Sequence, residues 1–507
     1  MNLRRVSRLI GILLMVLSAA MATSIPWAIA CDPISTTVAF VVSVLITLLS
    51  GVGMWTWGRD HEGTISRREA LLIVAAAWAL LGVFGGVPYM IDGALPNPVD
   101  AYFEAVSGFT TTGSTVLTNI EGISRALHWW RGMTHWLGGM GIIVLFVAIL
   151  PKLGVGGKRL FKTEVPGPIT EGLLPRIQET SIALWWIYLG LTVVLAVILY
   201  LIGPSAAEVK AKGLSPFAQM DWHAAFVHAF GTMATGGFST LAESVAGFRS
   251  PRVEWVLTLF MLLAGMNFTL HFMVLRRQWR EALLDHELRL YLTIVGVSTA
   301  IVTAAIYKTG DPSQFMVQSH EGVLDSLRCA AFQVVSVVTT TGFSTDDFNR
   351  YPPVAGLLLV ALMFVGGMAG STAGGLKVFR FLVMGKAVHR ELLKVFRPAV
   401  VTKVRINDRA INDDVVHGTL AFIILGTVIF WLASLYMAAL GLDLVTATTS
   451  VAATLFNVGP GLARVGAIEN FAFIPDSGKV VLSLCMLLGR LEFYALLVLL
   501  IPAFWRN

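Results

Sequence analysis

The chain has 507 residues, of which 56% are hydrophobic and only 13% charged, and it carries a net charge of +6. Soluble domains average about 45–50% apolar and about 25% charged residues. This surplus of apolar side chains excludes a water-facing enzyme or a nucleic-acid-binding domain and defines a polytopic membrane protein; the positive charge belongs on its cytoplasmic loops.

A helix crosses about 30 Å of hydrocarbon with about 20 apolar residues. On that measure the sequence predicts ten crossings, near 9–30, 36–57, 70–92, 128–150, 181–203, 253–275, 290–307, 355–376, 415–440 and 480–503. The opening stretch, basic to Arg8 and then apolar, with Ala28-Ile29-Ala30 before Cys31, has signal-peptide features. Its apolar part exceeds the usual run of about 7–15 residues, so a retained helix is expected. Every second connection is basic: Arg4, Arg5 and Arg8; Arg59, Arg67 and Arg68; Lys152, Lys158, Arg159 and Lys162; Arg276, Arg277 and Arg280; and the run Lys377 to Arg409. One face thereby collects 25 of the 37 Lys and Arg residues, which puts both termini in the cytoplasm. Cys31, Cys329 and Cys485 are too scattered for a disulfide framework or zinc site and read as packing residues. His135, His223, His228 and His271 lack metal-ligand spacing and read as interfacial or packing groups.

A unit recurs four times. After the third, fifth, seventh and ninth crossings comes a moderately apolar segment, too short to span, that ends in a knot of small residues. The knots are Thr110-Thr111-Thr112-Gly113-Ser114, Ala234-Thr235-Gly236-Gly237-Phe238, Thr339-Thr340-Thr341-Gly342-Phe343 and Phe456-Asn457-Val458-Gly459-Pro460. In the second knot the register is open. Phe226 lies ten residues before Gly236, as Phe103 and Phe332 do before Gly113 and Gly342, whereas the shared Gly-Phe-Ser-Thr tetrads at 237–240 and 342–345 favour Gly237. A segment that cannot cross must enter and return, and irregular backbone at membrane depth survives only where protein or a water-filled cavity surrounds it. Short helices descending from outside, their starts marked by Asp100, Asp221, Asp325 and Asp443 as expected caps, aim their negative ends at the membrane centre. Backbone carbonyls clustered there replace an ion's hydration shell, and glycine permits the close approach. A single Thr-Thr-Gly is merely a turn; four in one structural place point to a cation filter of Thr111, Thr112, Gly113, Thr235, Gly236, Gly237, Thr340, Thr341, Gly342, Asn457, Val458 and Gly459.

With Ser107 to Gly113, the knots at 234–239 and 339–344, and Asn457-Val458-Gly459-Pro460-Gly461, the pattern resembles the TrkH/KtrB superfamily of potassium transport proteins, in its TrkH branch. Glu164-Val165-Pro166-Gly167-Pro168 and the segment 366–375 agree, as do two extra N-terminal spans. The resemblance implies an all-α polytopic membrane protein with four pseudo-symmetric helix–pore-helix–helix repeats around a central pore. It further implies a potassium-translocating subunit, dimeric, with a cytosolic NAD- or nucleotide-binding regulatory partner and no covalent cofactor. Serine at the first filter glycine is linked in that superfamily to sodium permeation, so Gly113 favours K⁺.

The corresponding divisions are 1–69 for the two extra helices, then 70–162, 163–288, 289–409 and 410–507 for the repeats. Five glycines within 366–375 make an unbroken helix costly, at about 1 kcal/mol each. Close helix packing is one reading; an intramembrane gating loop built from Gly366, Gly367, Gly370, Ser371, Thr372, Gly374 and Gly375 is the one the resemblance supports. Arg490, ten positions into the last predicted span, costs roughly 2.5–3.5 kcal/mol at membrane depth unless it is partnered or functional. Its neighbour Glu492 is two residues on and does not face it on a helix, so a pore-facing electrostatic barrier is expected. The basic run 377–409 reads either as a topology signal or as a docking surface. A secondary transporter with broken helices, including a proton-coupled potassium symporter, is the competing reading; no nucleophile with a partnered histidine supports an enzyme.

Overall fold

The computed structural model describes residues 1–59, 65–140, 177–307, 322–397, 403–407 and 409–506. The Glu164–Pro168 motif, the basic residues 152–162 and the second half of the span predicted at 128–150 lie outside them. Apolar composition over more than 18 residues produces long helices: α1 Leu3–Ala22 continuing into α2 Ile25–Cys31, α3 Ile34–Gly58 and α4 Arg67–Asp92. α1 lies on α3 through small residues, Gly11 against the backbone of Gly51 and Met54, and Ser7 Oγ donates to the Met54 carbonyl at 3.0 Å. Ser66 and Glu69 close a reciprocal capping box at the start of α4, which satisfies two otherwise orphaned N–H groups.

Each repeat then follows one plan. A long helix leads to a short one: α4 to α5 (Pro98–Phe109), α7 (Ile177–Ile202) to α8 (Trp222–Met233), α11 (His286–Ile306) to α12 (Val323–Val338), and α15 (Asp413–Ala439) to α16 (Leu444–Leu455). The short helices have 12, 12, 16 and 12 residues. At 1.5 Å per residue a 12-residue helix reaches about 18 Å, and none spans the hydrocarbon. Asp221 and Asp443 are N-caps as expected, accepting from the Ala224 and Thr446 N–H groups. Asp100 and Asp325 are not: Asn97 and Gly322 occupy those caps, and the two acids sit in the first turn, paired with Lys479 and Arg328.

The closing helices depart from the expected continuous spans. α6 (Arg125–Gly139) is the described half of the first. The second is broken at residues 265–267 into α9 (Pro251–Ala264) and α10 (Phe268–Leu275), bent by 97°. In the third, α13 (Pro353–Val365) ends at Gly366, and α14 (Val378–Phe396) begins only after a loop. The fourth is broken after Arg490 into α17 (Asp476–Arg490) and α18 (Tyr494–Leu497), with α17 and residues 494–500 at 113°. Hydropathy averages across such breaks, and only the third announces itself by a glycine run. A two-residue antiparallel ladder pairs Arg405–Ile406 with Arg409–Ala410 beyond α14. Cys31 is exposed rather than packed, while Cys329 and Cys485 are buried free thiols.

Candidate cation-binding site

The four short helices end in one and the same way. Thr111, Thr235, Thr340 and Asn457 have φ of 55°, 54°, 55° and 54°. Their N–H groups donate three residues back, to the carbonyls of Gly108, Thr232, Val337 and Thr454. The next N–H groups, of Thr112, Gly236, Thr341 and Val458, donate five back, to Ser107, Gly231, Ser336 and Ala453, at 2.8–2.9 Å. This is the Schellman closure, repeated in every quadrant. It is strained where the left-handed residue is a β-branched Thr; asparagine is better suited to it, and the fourth copy has one.

Two residues after each left-handed position stands a second: Gly113 (φ 84°), Gly237 (79°), Gly342 (79°) and Gly459 (105°). The register open in the sequence is thereby fixed on Gly237, with Gly236 equivalent to Thr112 and Thr341. A Cβ on Gly113 would strike the Gly236 carbonyl, one on Gly237 the Thr341 carbonyl, one on Gly342 the Val458 carbonyl, and one on Gly459 the Thr112 carbonyl, at 2.7 Å in that last case. The knots thus meet head to tail in a closed cycle, each glycine against the carbonyl of the next repeat. All four glycines line one cavity of about 60 Å³. Among the described residues, the carbonyls of Thr112, Gly236, Thr341 and Val458 accept no hydrogen bond from protein. Buried backbone acceptors are normally paired, and these four depart from that rule.

The divergent fourth knot fits this ring through its side chain. Asn457 Nδ2 donates to Thr112 Oγ1 at 2.9 Å and to the Met486 carbonyl at 3.1 Å, tying the fourth repeat to the first and to α17. Thr110 and Thr112, and likewise Thr339 and Thr341, share hydroxyl hydrogen bonds of 2.7 Å behind the backbone.

Beneath the ring lies the segment 366–377. Gly366, Gly370 and Gly375 have φ of 76°, 74° and 76°, which excludes a helix there. The Gly374 N–H donates to Thr340 Oγ1 at 2.6 Å and the Gly375 N–H to the Phe456 carbonyl at 2.9 Å, which presses the loop against the third and fourth knots. Thr372 Oγ1 reaches the Met233 and Ala264 carbonyls at 3.0 and 3.2 Å, and Ser371 Oγ donates to Met368 O. The Met368 N–H donates to Gly265 O, filling the break between α9 and α10, and the Ala369 N–H donates to buried Glu287 Oε1 at 2.7 Å. Gly367 closes the loop's base by accepting from the Val378 N–H.

Arg490 enters from the opposite side. Its guanidinium donates to Thr111 Oγ1 at 3.2 Å, to Thr372 O at 3.0 Å, to Gly139 O at 2.9 Å and to Gly138 O. The last two are terminal carbonyls of α6, where a cation is favoured by the helix dipole. Glu492 pairs instead with Arg380 at 2.8 Å. Arg490 therefore joins the first knot, the loop and α6 in one hub. Sequence reasoning missed the support behind the ring. His135 stacks on Phe238 with centroids 4.1 Å apart, and His228, expected to be an interfacial or packing group, bonds Ser239 Oγ at 3.0 Å. Glu104, Arg131 and Gln333 also lie behind the ring.

Fold and site together define a multi-pass membrane protein whose four repeats meet in a ring of glycines and carbonyls above the 366–377 loop. The TrkH cation transport protein family model matches residues 37–506, and the chain belongs to that family. It is 38% identical over 514 residues to a Trk system potassium uptake protein TrkH of Halomonas elongata, and 37% identical over 518 residues to that of Escherichia coli, with each chain covered in full. The TrkG protein of Escherichia coli is 31% identical over 510 residues, covering 100% of this chain and 99% of the relative. The crystal structure of the potassium transporter TrkH from Vibrio parahaemolyticus superposes with a TM-score of 0.83 at 34% identity, over the whole of both chains.

Proposed function

We propose that this chain takes up potassium ions across the cytoplasmic (inner) membrane of a prokaryote, with both termini in the cytoplasm. Its selectivity filter is formed by residues 111–113, 235–237, 340–342 and 457–459. The observation that supports this reading is the head-to-tail ring, in which each glycine abuts a carbonyl of the next repeat that has no protein donor among the described residues; an ion stripped of water needs such oxygens. Four repeats, at 70–162, 163–288, 289–409 and 410–507, each supply one quarter, and residues 1–69 add two outer helices. The 366–375 loop and Arg490 form the gate directly below, closing the path with backbone N–H groups and a fixed positive charge. The basic segment 377–409, largely helix α14, docks a cytosolic NAD- or nucleotide-binding regulatory subunit, and the chain works as a homodimer. K⁺ is cargo; the chain itself is neither an enzyme nor a nucleotide-binding protein.

The test is uptake of K⁺, Rb⁺ and Na⁺ into liposomes containing the purified chain, with and without an imposed pH gradient. Uptake of K⁺ and Rb⁺ well above Na⁺ in the absence of a gradient is expected. Equal Na⁺ and K⁺ entry defeats the filter assignment, and uptake that requires the gradient moves the mechanism to proton-coupled symport.

A further inference from the structure

Nine residues before each ring glycine the short helices carry Glu104, His228, Gln333 and Ser450. Three of these reach behind the ring to the strand that leaves it. Glu104 accepts from Thr115 Oγ1 at 2.9 Å and from the Val116 N–H at 3.0 Å. His228 Nδ1–H donates to Ala224 O, so its Nε2 accepts from Ser239 Oγ at 3.0 Å. Gln333, with its amide carbonyl turned to the two donors, accepts from the Thr345 and Asp346 N–H groups at 3.0 and 3.2 Å. In the fourth repeat Ser450 bonds only within its helix, and the neighbouring Thr449 Oγ1 takes over, accepting from the Leu462 N–H at 3.0 Å. Thr115 and Ser239 follow their ring glycines by two residues; Val116, Thr345 and Leu462 follow theirs by three. Every quadrant is clamped at the same height by different chemistry.

Among the described residues the first clamp is the ionic one, and it crosses from the first quadrant to the second. Glu104 and Arg131 are 0% and 1% exposed. Arg131 Nε meets Glu104 Oε1 at 3.0 Å, Nη1 donates to the Ser239 carbonyl of the second quadrant at 3.2 Å, and the guanidinium lies 4.0 Å over the Phe238 ring. A buried ion pair adds little stability over an apolar pair but strongly penalises loss of one partner. We infer that Glu104 and Arg131 are positioning residues for ion selection: the pair spaces the outer ends of the first and second filter segments, and with them the ring's oxygens. This rests on the filter assignment above.

The experiment measures K⁺ and Na⁺ uptake by the full chain in liposomes for Glu104→Gln, Arg131→Gln, the double variant and, as a control on the filter itself, Gly113→Ser. Each single substitution strands one buried charge and lowers the K⁺/Na⁺ uptake ratio by about tenfold. The double variant, in which two amides replace the ion pair and bond each other, restores most of that ratio, the non-additivity expected of coupled residues. A purely structural role would lower the amount of folded protein without moving the ratio. If Gly113→Ser changes the ratio and both single glutamine variants leave it at the parental value, the positioning role is overturned and the filter stands. If Gly113→Ser also leaves it unchanged, the filter assignment itself fails. Should one single variant not fold, the other decides.

Discussion

Replacing Arg490 by alanine is the sharpest perturbation of the gate. Among the described residues the guanidinium donates to four acceptors; the bond to Thr372 O at 3.0 Å holds the loop, and those to Gly138 O and Gly139 O anchor the arginine to α6. A hydrogen bond from a charged donor contributes about 1.5–3 kcal/mol. The loop keeps its other ties, among them Gly374 N–H to Thr340, Gly375 N–H to Phe456 O and Ala369 N–H to Glu287, so it stays folded and only its closed population falls. Losing one such bond shifts the open-to-closed ratio by about 10- to 150-fold, and removing the fixed cation lowers the barrier further. Unstimulated K⁺ or Rb⁺ flux into liposomes should therefore rise by at least about tenfold, with Arg490→Lys intermediate because a single ammonium cannot span all four acceptors. Flux at or below the parental rate, in protein that remains monodisperse, refutes the latch.

Three further outcomes follow from the geometry. Gly237→Ala should damage K⁺ selectivity more than Gly236→Ala. The first adds about 1–2 kcal/mol of left-handed strain and drives a Cβ into the Thr341 carbonyl, whereas the second meets the His135 ring from ordinary backbone; equal uptake ratios would contradict the register. Thr372→Val removes a hydroxyl shared between Met233 O and Ala264 O, a change of about 1 kcal/mol, and should raise basal flux about fivefold, measured in the same liposomes. Asp443 caps α16, and its hydrogen bonds to Thr446 hold the carboxyl below the usual range. Its stabilisation is present above the ordinary carboxylate pKa and is lost as pH falls through the lowered value. Asp443→Ala should therefore cost about 1 kcal/mol at neutral pH and much less in strong acid, read by thermal unfolding in detergent.

The sequence disclosed what is chemically uniform and hid what is not. The knots were legible because close backbone approach demands small residues in all four copies, and the loop because glycines are expensive in a helix. The register of the second knot was ambiguous because Gly236 and Gly237 are adjacent, and only φ separates them. The breaks at 265–267 and 491–493 were masked because their single polar residues, Asn267 and Glu492, are averaged against apolar neighbours such as Met266 and Phe493. Asp100 and Asp325 resembled caps because an acid in the first turn and an acid at the cap are alike in a list of residues. The supports behind the ring were invisible for a different reason. Glu104, His228, Gln333 and Thr449 share a task but not a residue type, so no motif announces them.

The cyclic seating of the glycines also bears on why one polypeptide supplies all four quarters. In an assembly of identical subunits, any latch or charge added to one quadrant would be copied into the other three and would crowd the axis. Here the 366–377 loop interrupts the closing helix of the third quadrant, Arg490 comes from the fourth, and the Glu104–Arg131 pair belongs to the first. Each glycine still abuts a carbonyl of the next quadrant. Covalent linkage thus permits division of labour around an axis that must, for the ion, remain nearly symmetric.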